Sequence, residues 1–310
     1  MKKISFVFPG QGSQFVGMLN GFLDNEIVHE TILEASEILK VNILKMISEG
    51  PQEELNLTIN TQPITLICSI AFYRAWLDAG GSKPLVVAGH SLGEYSALVV
   101  AEVISFPDAI NLVSFRAKIM QDAQPLGSGS MAAIIGLTKE KLIDMCNECS
   151  NDDIVELANF NAPEQIVISG HKLAVERVCL KAKNNGARRS LILPVSAPFH
   201  SSLMKTASLK LQKFLENVYF FEPKIDLINN VDTLDLKDTN LIKDALVRQM
   251  YQPVRWYESV LKISKYPLNS LVEIGPGKVL TNLNKRIISD FGCYSISDQE
   301  SLDKTLKELS

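Results

Sequence analysis

Nowhere in its 310 residues does the chain hold an apolar run approaching the roughly 20 residues that a membrane-spanning helix needs. No membrane partner is therefore expected. Lys2 and Lys3 open the sequence, but Pro9 follows Phe6, Val7 and Phe8 too soon for the apolar core of a secretory signal. Cysteine is scarce and odd in number: five residues, at 68, 146, 149, 179 and 293, cannot form a closed disulfide framework. A reducing, cytoplasmic setting fits them best. Cys146 and Cys149 make a C-x-x-C, yet no second pair and no histidine pair stands at zinc spacing. They fall within helical apolar spacing, so helix packing is expected and a metal site is not. Net charge is 31 − 35 = −4, too mild to suggest a nucleic-acid partner or a membrane surface. Repeats and low-complexity tracts are also lacking.

What is present is an ordinary globular composition, 46% hydrophobic, long enough for one large domain or two smaller ones. Its clearest motif lies at Gly89-His90-Ser91-Leu92-Gly93. A short apolar run, Leu85 to Ala88, reads as a buried strand, and Leu98, Val99 and Val100 continue as a helix. The G-x-S-x-G between them predicts a sharp strand-to-helix turn that holds the Ser91 hydroxyl clear of the backbone. Glycine is required at both flanks, because a side chain there would collide across the crossing. The helix start directs the Leu92 N–H toward the place where an oxyanion could form. A plain structural Gly-Ser-Gly turn is the alternative reading of this motif alone.

A first strand, Ile4–Phe8, runs into the glycine-rich turn Pro9 to Gln14. Phe15 occupies the place of the third glycine in G-x-G-x-x-G, so a dinucleotide site is excluded on the motif's own terms. The turn can still bring backbone N–H groups, that of Gln11 included, close to a ligand, since Gly10 and Gly12 leave room. Residues 26–48 carry helical spacing, and Pro63 to Trp76 reads as a buried helix. Pro107 fits the first turn of a helix reaching about Ala123. Gln124 to Ser130 is the clearest linker. Beyond it strands at Met131–Ile135, Ile154–Ala158, Gln165–Ser169 and Ser190–Leu193 alternate with helices at Lys139–Cys149 and Leu173–Lys183. The order β-α-β-β-α-β is the ferredoxin-like split unit. The expected architecture is thus α/β: a hydrolase-like parallel-sheet core formed by 1–124 and 197–310, with a ferredoxin-like subdomain, 125–196, inserted into it.

Two residues outside the turn carry chemistry. Arg116 lies three or four residues from each of Leu112, Val113, Ile119 and Met120. A guanidinium within an apolar stripe must find an anion, either an internal carboxylate or a ligand. His200 follows Pro194 and Pro198 on a rigid loop at a strand end, where α/β folds place catalytic groups, although a lone loop histidine can equally be an exposed bystander. His90 adjoins Ser91 in sequence, but adjacent side chains at a strand end point opposite ways, which makes it a poor base. No acidic residue suggests itself as a third member, so a Ser91–His200 dyad oriented by a main-chain carbonyl is the reading. Gln11 and Leu92 N–H groups would form the oxyanion hole, and Arg116 would hold an acyl group bearing its own carboxylate.

Phe8 to Gln14, Thr61-Gln62-Pro63, Gly89 to Ala97, Arg116, Gly129 to Ala133, Asn159 to Asn161, Pro198-Phe199-His200, Val247-Arg248-Gln249 and Glu273 to Gly277 together resemble, nearly end to end, the malonyl-CoA:acyl carrier protein transacylases of bacterial fatty acid synthesis. The resemblance implies Ser91 as nucleophile, His200 as base, Arg116 as clamp on the malonyl carboxylate, and Gln249 as the source of the carbonyl that orients His200. It implies Asn159 near the site and Phe199 as a ring that crowds an α-branched acyl group. It also implies malonyl-CoA and acyl carrier protein as partners, with no cofactor of the enzyme's own, since the phosphopantetheine belongs to the carrier. A monomer is expected. One departure stands at Glu102, where the resemblance implies a glycine ending the helix in a left-handed turn. Lys181, Lys183, Arg188 and Arg189 could meet an acidic carrier or be a solvated face. The rival readings are a serine thioesterase, a polyketide-pathway acyltransferase, and a carrier-docking module without catalysis.

Overall fold

The alternation of apolar residues along the first strand sets the layers of the molecule. The structure, a computed structural model, describes residues 3–125, 127–195, 197–268 and 270–309. Lys2, Leu126 and Ser196, which belong to the opening, linker and loop discussed above, lie outside the described residues. The chain runs β1 (Ile4–Phe8), α1 (Glu26–Leu39), α2 (Ile43–Glu49), α3 (Gln52–Leu55), α4 (Thr58–Asp78), β2 (Val86–Gly89), α5 (Gly93–Val100) and α6 (Phe106–Gln121). It continues β3 (Gly129–Ile135), α7 (Lys139–Ser150), β4 (Val155–Ala162), β5 (Gln165–His171), α8 (Lys172–Asn184), β6 (Arg189–Ile192) and α9 (Lys205–Leu215). The last part is β7 (Asp226–Ile228), α10 (Thr239–Gln249), α11 (Trp256–Ile263), β8 (Ser270–Ile274), α12 (Val279–Ile287), β9 (Gly292–Ile296) and α13 (Gln299–Leu309).

Among the described residues, one sheet has the order β7-β2-β1-β8-β9, with every pairing parallel. Ile4, Phe6 and Phe8 of β1 join the core formed with α1, α4, α5 and α6, while Val7 faces Trp256, Val260 and Leu280 of α11 and α12 on the other side. Period-2 alternation thus buries both faces, as parallel sheets require. The second sheet, β4-β5-β3-β6, is antiparallel. Its one face (Ala132, Ile134, Ile166, Ile168) packs on α7 and α8, and from the other Met131 and Val167 join the main core. The strand order is that of the ferredoxin-like unit. The split of the chain into 1–124 plus 197–310 and an inserted 125–196 remains our proposal.

Several boundaries differ from the sequence reading. Residues 26–48 are two helices, because Lys40 takes a left-handed conformation at φ 56° and caps α1. Pro63 lies inside α4 rather than at its start, in a helix whose low amphipathicity reflects burial on nearly all sides. The linker ends early, since Gly129 and Ser130 already pair with His171 and Gly170. β4 extends to Ala162, so Asn159 and Asn161 stand on a strand. Cys146 and Cys149 are buried in α7 and burial pushes both thiols up, as expected of packed residues.

Candidate active site

The carboxyl ends of β1, β2 and β7 bring together the turns that build the site. At the end of β2 the chain reverses into α5 within three residues, and Ser91 is held at φ 51°. A Cβ on Gly89 would lie 1.8 Å from the carbonyl carbon of Gly93, and one on Gly93 would lie 2.0 Å from the Phe8 oxygen. These contacts explain both glycines of the motif. Gly10 has a similar role: its Cβ would meet the His90 oxygen at 2.5 Å, so the glycine serves a close approach within the protein as well as bordering the site. The strain at Ser91 is held by Asn230, whose Oδ1 accepts the Ser91 N–H (2.7 Å) and whose Nδ2 donates to Gly89 O (2.6 Å).

His200, also at positive φ (59°), is only 4% exposed rather than a surface bystander. Its own N–H donates to Met250 O at 3.1 Å, and the flanking Ser201 hydroxyl donates to Pro198 O at 2.6 Å. The ring spans two acceptors. Nδ1 lies 2.7 Å from the Gln249 main-chain oxygen, and Nε2 lies 2.8 Å from Ser91 Oγ. A carbonyl oxygen can only accept, so Nδ1 carries the proton and Nε2 presents its lone pair to the serine hydroxyl. Burial, with the Arg116 charge, lowers the His200 pKa to about 3, which keeps the ring neutral.

Arg116, 1% exposed, hydrogen-bonds to no carboxylate among the described residues. The internal ion pair allowed by the sequence reading is replaced by amide oxygens: Nη1 donates to Gln62 Oε1 (2.6 Å) and Nη2 to Gln249 Oε1 (2.9 Å). Nη2 also donates to Ser91 Oγ at 3.2 Å, the guanidinium lies 5.2 Å from the Tyr95 ring centroid, and Nε has no hydrogen-bond partner among the described residues. Neutral acceptors leave the positive charge available for an anion entering the cavity. Burial works against that charge and lowers the Arg116 pKa.

Ser91, His200 and Arg116 line a cavity of about 160 Å³ together with Gln11, Leu92, Asn159 and Phe199. Among the described residues, no acceptor takes the main-chain N–H of Gln11 or Leu92. Asn159 faces this space because β4 shifts register beside it, where it bridges to Val254. Gln249 stands fully buried behind the wall. His90 also borders the cavity, but its Nε2 is 2.8 Å from Asn161 Oδ1 and burial keeps it neutral.

Four residues of this arrangement escaped the sequence reading as site residues: Gln62, Glu94, Asn161 and Asn230. Gln62, Glu94 and Asn161 stand inside motifs quoted above, without a role. Asn230 carried no signal, since an asparagine after a strand reads as a turn. Glu94, in the first turn of α5, is buried, and its Oε2 accepts Asn230 N–H (3.0 Å) and Gln249 Nε2–H (2.7 Å). Burial pushes its pKa up to about 7 against those bonds.

Residues 5–301 match the acyl transferase domain family. Over 309 residues the chain is 47% identical to the malonyl CoA-acyl carrier protein transacylase of Salmonella typhimurium, covering 99% of this chain and 100% of that one. The crystal structure of an acyl-carrier-protein S-malonyltransferase from Burkholderia pseudomallei aligns with a TM-score of 0.96 at 53% identity, over 98% of this chain and 99% of that one. A malonyl-transacylase solved in complex with its type II PKS acyl-carrier protein aligns with a TM-score of 0.97 at 46% identity, over 99% of both chains. The fold, the buried serine–histidine–arginine cavity and this end-to-end similarity lead to one conclusion: the chain belongs to the malonyl CoA-acyl carrier protein transacylase family of acyltransferases.

Proposed function

We propose that this chain transfers the malonyl group of malonyl-CoA to the pantetheine thiol of holo-acyl carrier protein, through an ester on Ser91, and so supplies extender units for fatty acid synthesis. The observation that carries the reading is Arg116 Nη2 at 3.2 Å from Ser91 Oγ, buried and without a carboxylate of its own. An acyl group bound at Ser91 with a carboxylate at its far end would satisfy that charge bidentately.

In the first half-reaction Ser91 Oγ bonds to the thioester carbonyl carbon as its proton passes to His200 Nε2. Main-chain N–H groups of Gln11 and Leu92 receive the oxyanion. The C–S bond breaks, and the CoA sulfur leaves with the proton from His200. In the second half the carrier thiol gives its proton to His200 and attacks the ester carbonyl, and Ser91 Oγ leaves with the proton. Gln249 O keeps the imidazole in the tautomer that both halves need. The buried Phe199 ring borders the acyl space and disfavours a branch next to the carbonyl. The reading needs no cofactor bound to the enzyme, and it carries with it a cytoplasmic setting and action as a monomer.

Intact-protein mass spectrometry after brief mixing with malonyl-CoA tests it. A malonyl-sized adduct is expected on the wild type and not on Ser91→Ala, with little adduct from acetyl-CoA. CoA release without an adduct would instead mark a hydrolase, and neither event would leave only a docking module.

A further inference from the structure

Glu94 is a buried carboxylate that the mechanism above does not use. Its hydrogen-bond partners are amides, and the Arg116 charge acts on it only through space: one oxygen receives the Asn230 N–H and the Gln249 Nε2–H. Each of those amides reaches a different part of the reaction centre. Asn230 holds the Ser91 N–H and the Gly89 oxygen, which fixes the strained turn under the nucleophile. Gln249 serves twice. Its side-chain oxygen takes Arg116 Nη2 and its main-chain oxygen takes His200 Nδ1. Its Nε2 donates to Glu94 and also to Ser91 O at 3.1 Å.

An amide side chain can be turned end for end at little steric cost, and its environment decides which end faces which way. Glu94 Oε2 already accepts the Asn230 main-chain N–H, which can only donate, so this oxygen is an acceptor toward Gln249 as well and holds the Gln249 NH2 inward with its oxygen toward Arg116. With Gln249 reversed, its NH2 would face the guanidinium, donor against donor, and Arg116 would lose one of two amide acceptors.

We propose that Glu94 is a positioning residue for malonyl transfer, acting through Gln249 to set the Arg116 clamp relative to Ser91. The inference rests on the function proposed above. It assigns Glu94 a role in selecting carboxylate-bearing acyl groups rather than in packing alone.

The test compares Glu94→Gln, Glu94→Asp and Glu94→Ala with wild type, reading the rate of Ser91 acylation by malonyl-CoA and by acetyl-CoA beside the Tm of each protein. Gln keeps an oxygen at the reach of both donors, whereas Asp withdraws it by one methylene and Ala removes it. A misplaced clamp costs malonyl transfer on the order of 100-fold and leaves the acetyl reaction, which has no carboxylate for Arg116 to hold, far less affected. The malonyl-to-acetyl ratio should therefore collapse in Ala, fall about tenfold in Asp and stay within about threefold of wild type in Gln. Should Ala fail to fold, the Gln and Asp pair decides alone. Rates for both acyl groups that fall together with Tm at an unchanged ratio would overturn the proposal and make Glu94 structural. Absence of a malonyl adduct on the wild type would instead overturn the underlying function.

Discussion

Arg116 Nη2 and His200 Nε2 approach the same atom, Ser91 Oγ, from 3.2 and 2.8 Å. One is a fixed positive charge and the other a lone pair, and both are buried. The serine hydroxyl therefore has a proton acceptor on one side and, on the other, a charge that favours oxygen in its anionic form. The same charge, second to burial, also holds the histidine neutral, so in the proposed reaction the clamp would help keep the base competent.

Removing the clamp should separate the two acyl groups. Arg116→Ala loses a buried, charge-assisted bidentate pair with the malonyl carboxylate, a cost of about 3 kcal/mol, or about 100-fold. Acylation by malonyl-CoA should fall by that factor in rapid-quench mass spectrometry, while acetyl-CoA labelling holds or rises. Arg116→Lys should recover only part of the loss, because an ammonium cannot reach Gln62, Gln249 and a carboxylate with one planar fork.

His200 sets a pH signature of defined sign. Its pKa falls from 6.5 to about 3 on folding, through burial first and the Arg116 charge second. Between those values the unfolded chain binds a proton that the native protein does not, so stability rises with pH across the window and is lost progressively as pH drops below 6.5. Denaturation at pH 7.5 and at pH 4.5 should show wild type losing about 3 kcal/mol more than His200→Ala. In kcat/KM, which reports the free enzyme, the limb due to the base should lie well below pH 6, not at the ordinary histidine value.

The strand-to-helix turn, the split β-α-β-β-α-β unit and the anomaly of Arg116 were legible because each depends on local rules: glycine at a steric crossing, period-2 and period-3.6 spacing, a charge in an apolar stripe. The pairing of Ser91 with His200, 109 residues apart, rested on context and on the family resemblance. What Arg116 meets was not legible. The choice between a carboxylate and two glutamine oxygens is made by α4 and α10, which lie 54 and 133 residues away in sequence at the contacting positions. Asn230 is of the same kind: its 139-residue separation from Ser91 is closed only by the pairing of β2 with β7. Asn159 became a cavity residue through a register shift in β4, and such irregularities leave no periodic trace.

Glu102 tests a departure that was visible at once. It follows α5 at φ 60°, a left-handed conformation that costs a non-glycine residue roughly 1–2 kcal/mol. Its carboxylate pairs with Lys83 at 2.9 Å, but both side chains are at least half exposed, so the pair contributes little. Glu102→Gly should therefore stabilise the protein by about 0.5–1 kcal/mol after the added chain entropy of glycine is counted, whereas Glu102→Ala should not. Thermal unfolding of the three proteins, with unchanged Ser91 labelling as control, checks this.

The glycines should divide by cause. At Gly89 the obstacle is steric: a methyl group 1.8 Å from the Gly93 carbonyl carbon meets backbone, which cannot yield without opening the turn under Ser91. Gly89→Ala should therefore cost about 4 kcal/mol or more and leave little folded protein. Gly12 has φ 103° but open space around its Cβ, so Gly12→Ala meets only the dihedral penalty, about 1–2 kcal/mol. It should fold with a modestly lower Tm. Because Gly12 follows Gln11, any shift of that backbone would displace the proposed oxyanion donor, and the acylation rate constant should fall while a carboxylate at the proposed Arg116 clamp binds as before. A Gly89→Ala protein that folds with no greater loss than Gly12→Ala would show that the backbone yields to the methyl group and would overturn the steric account.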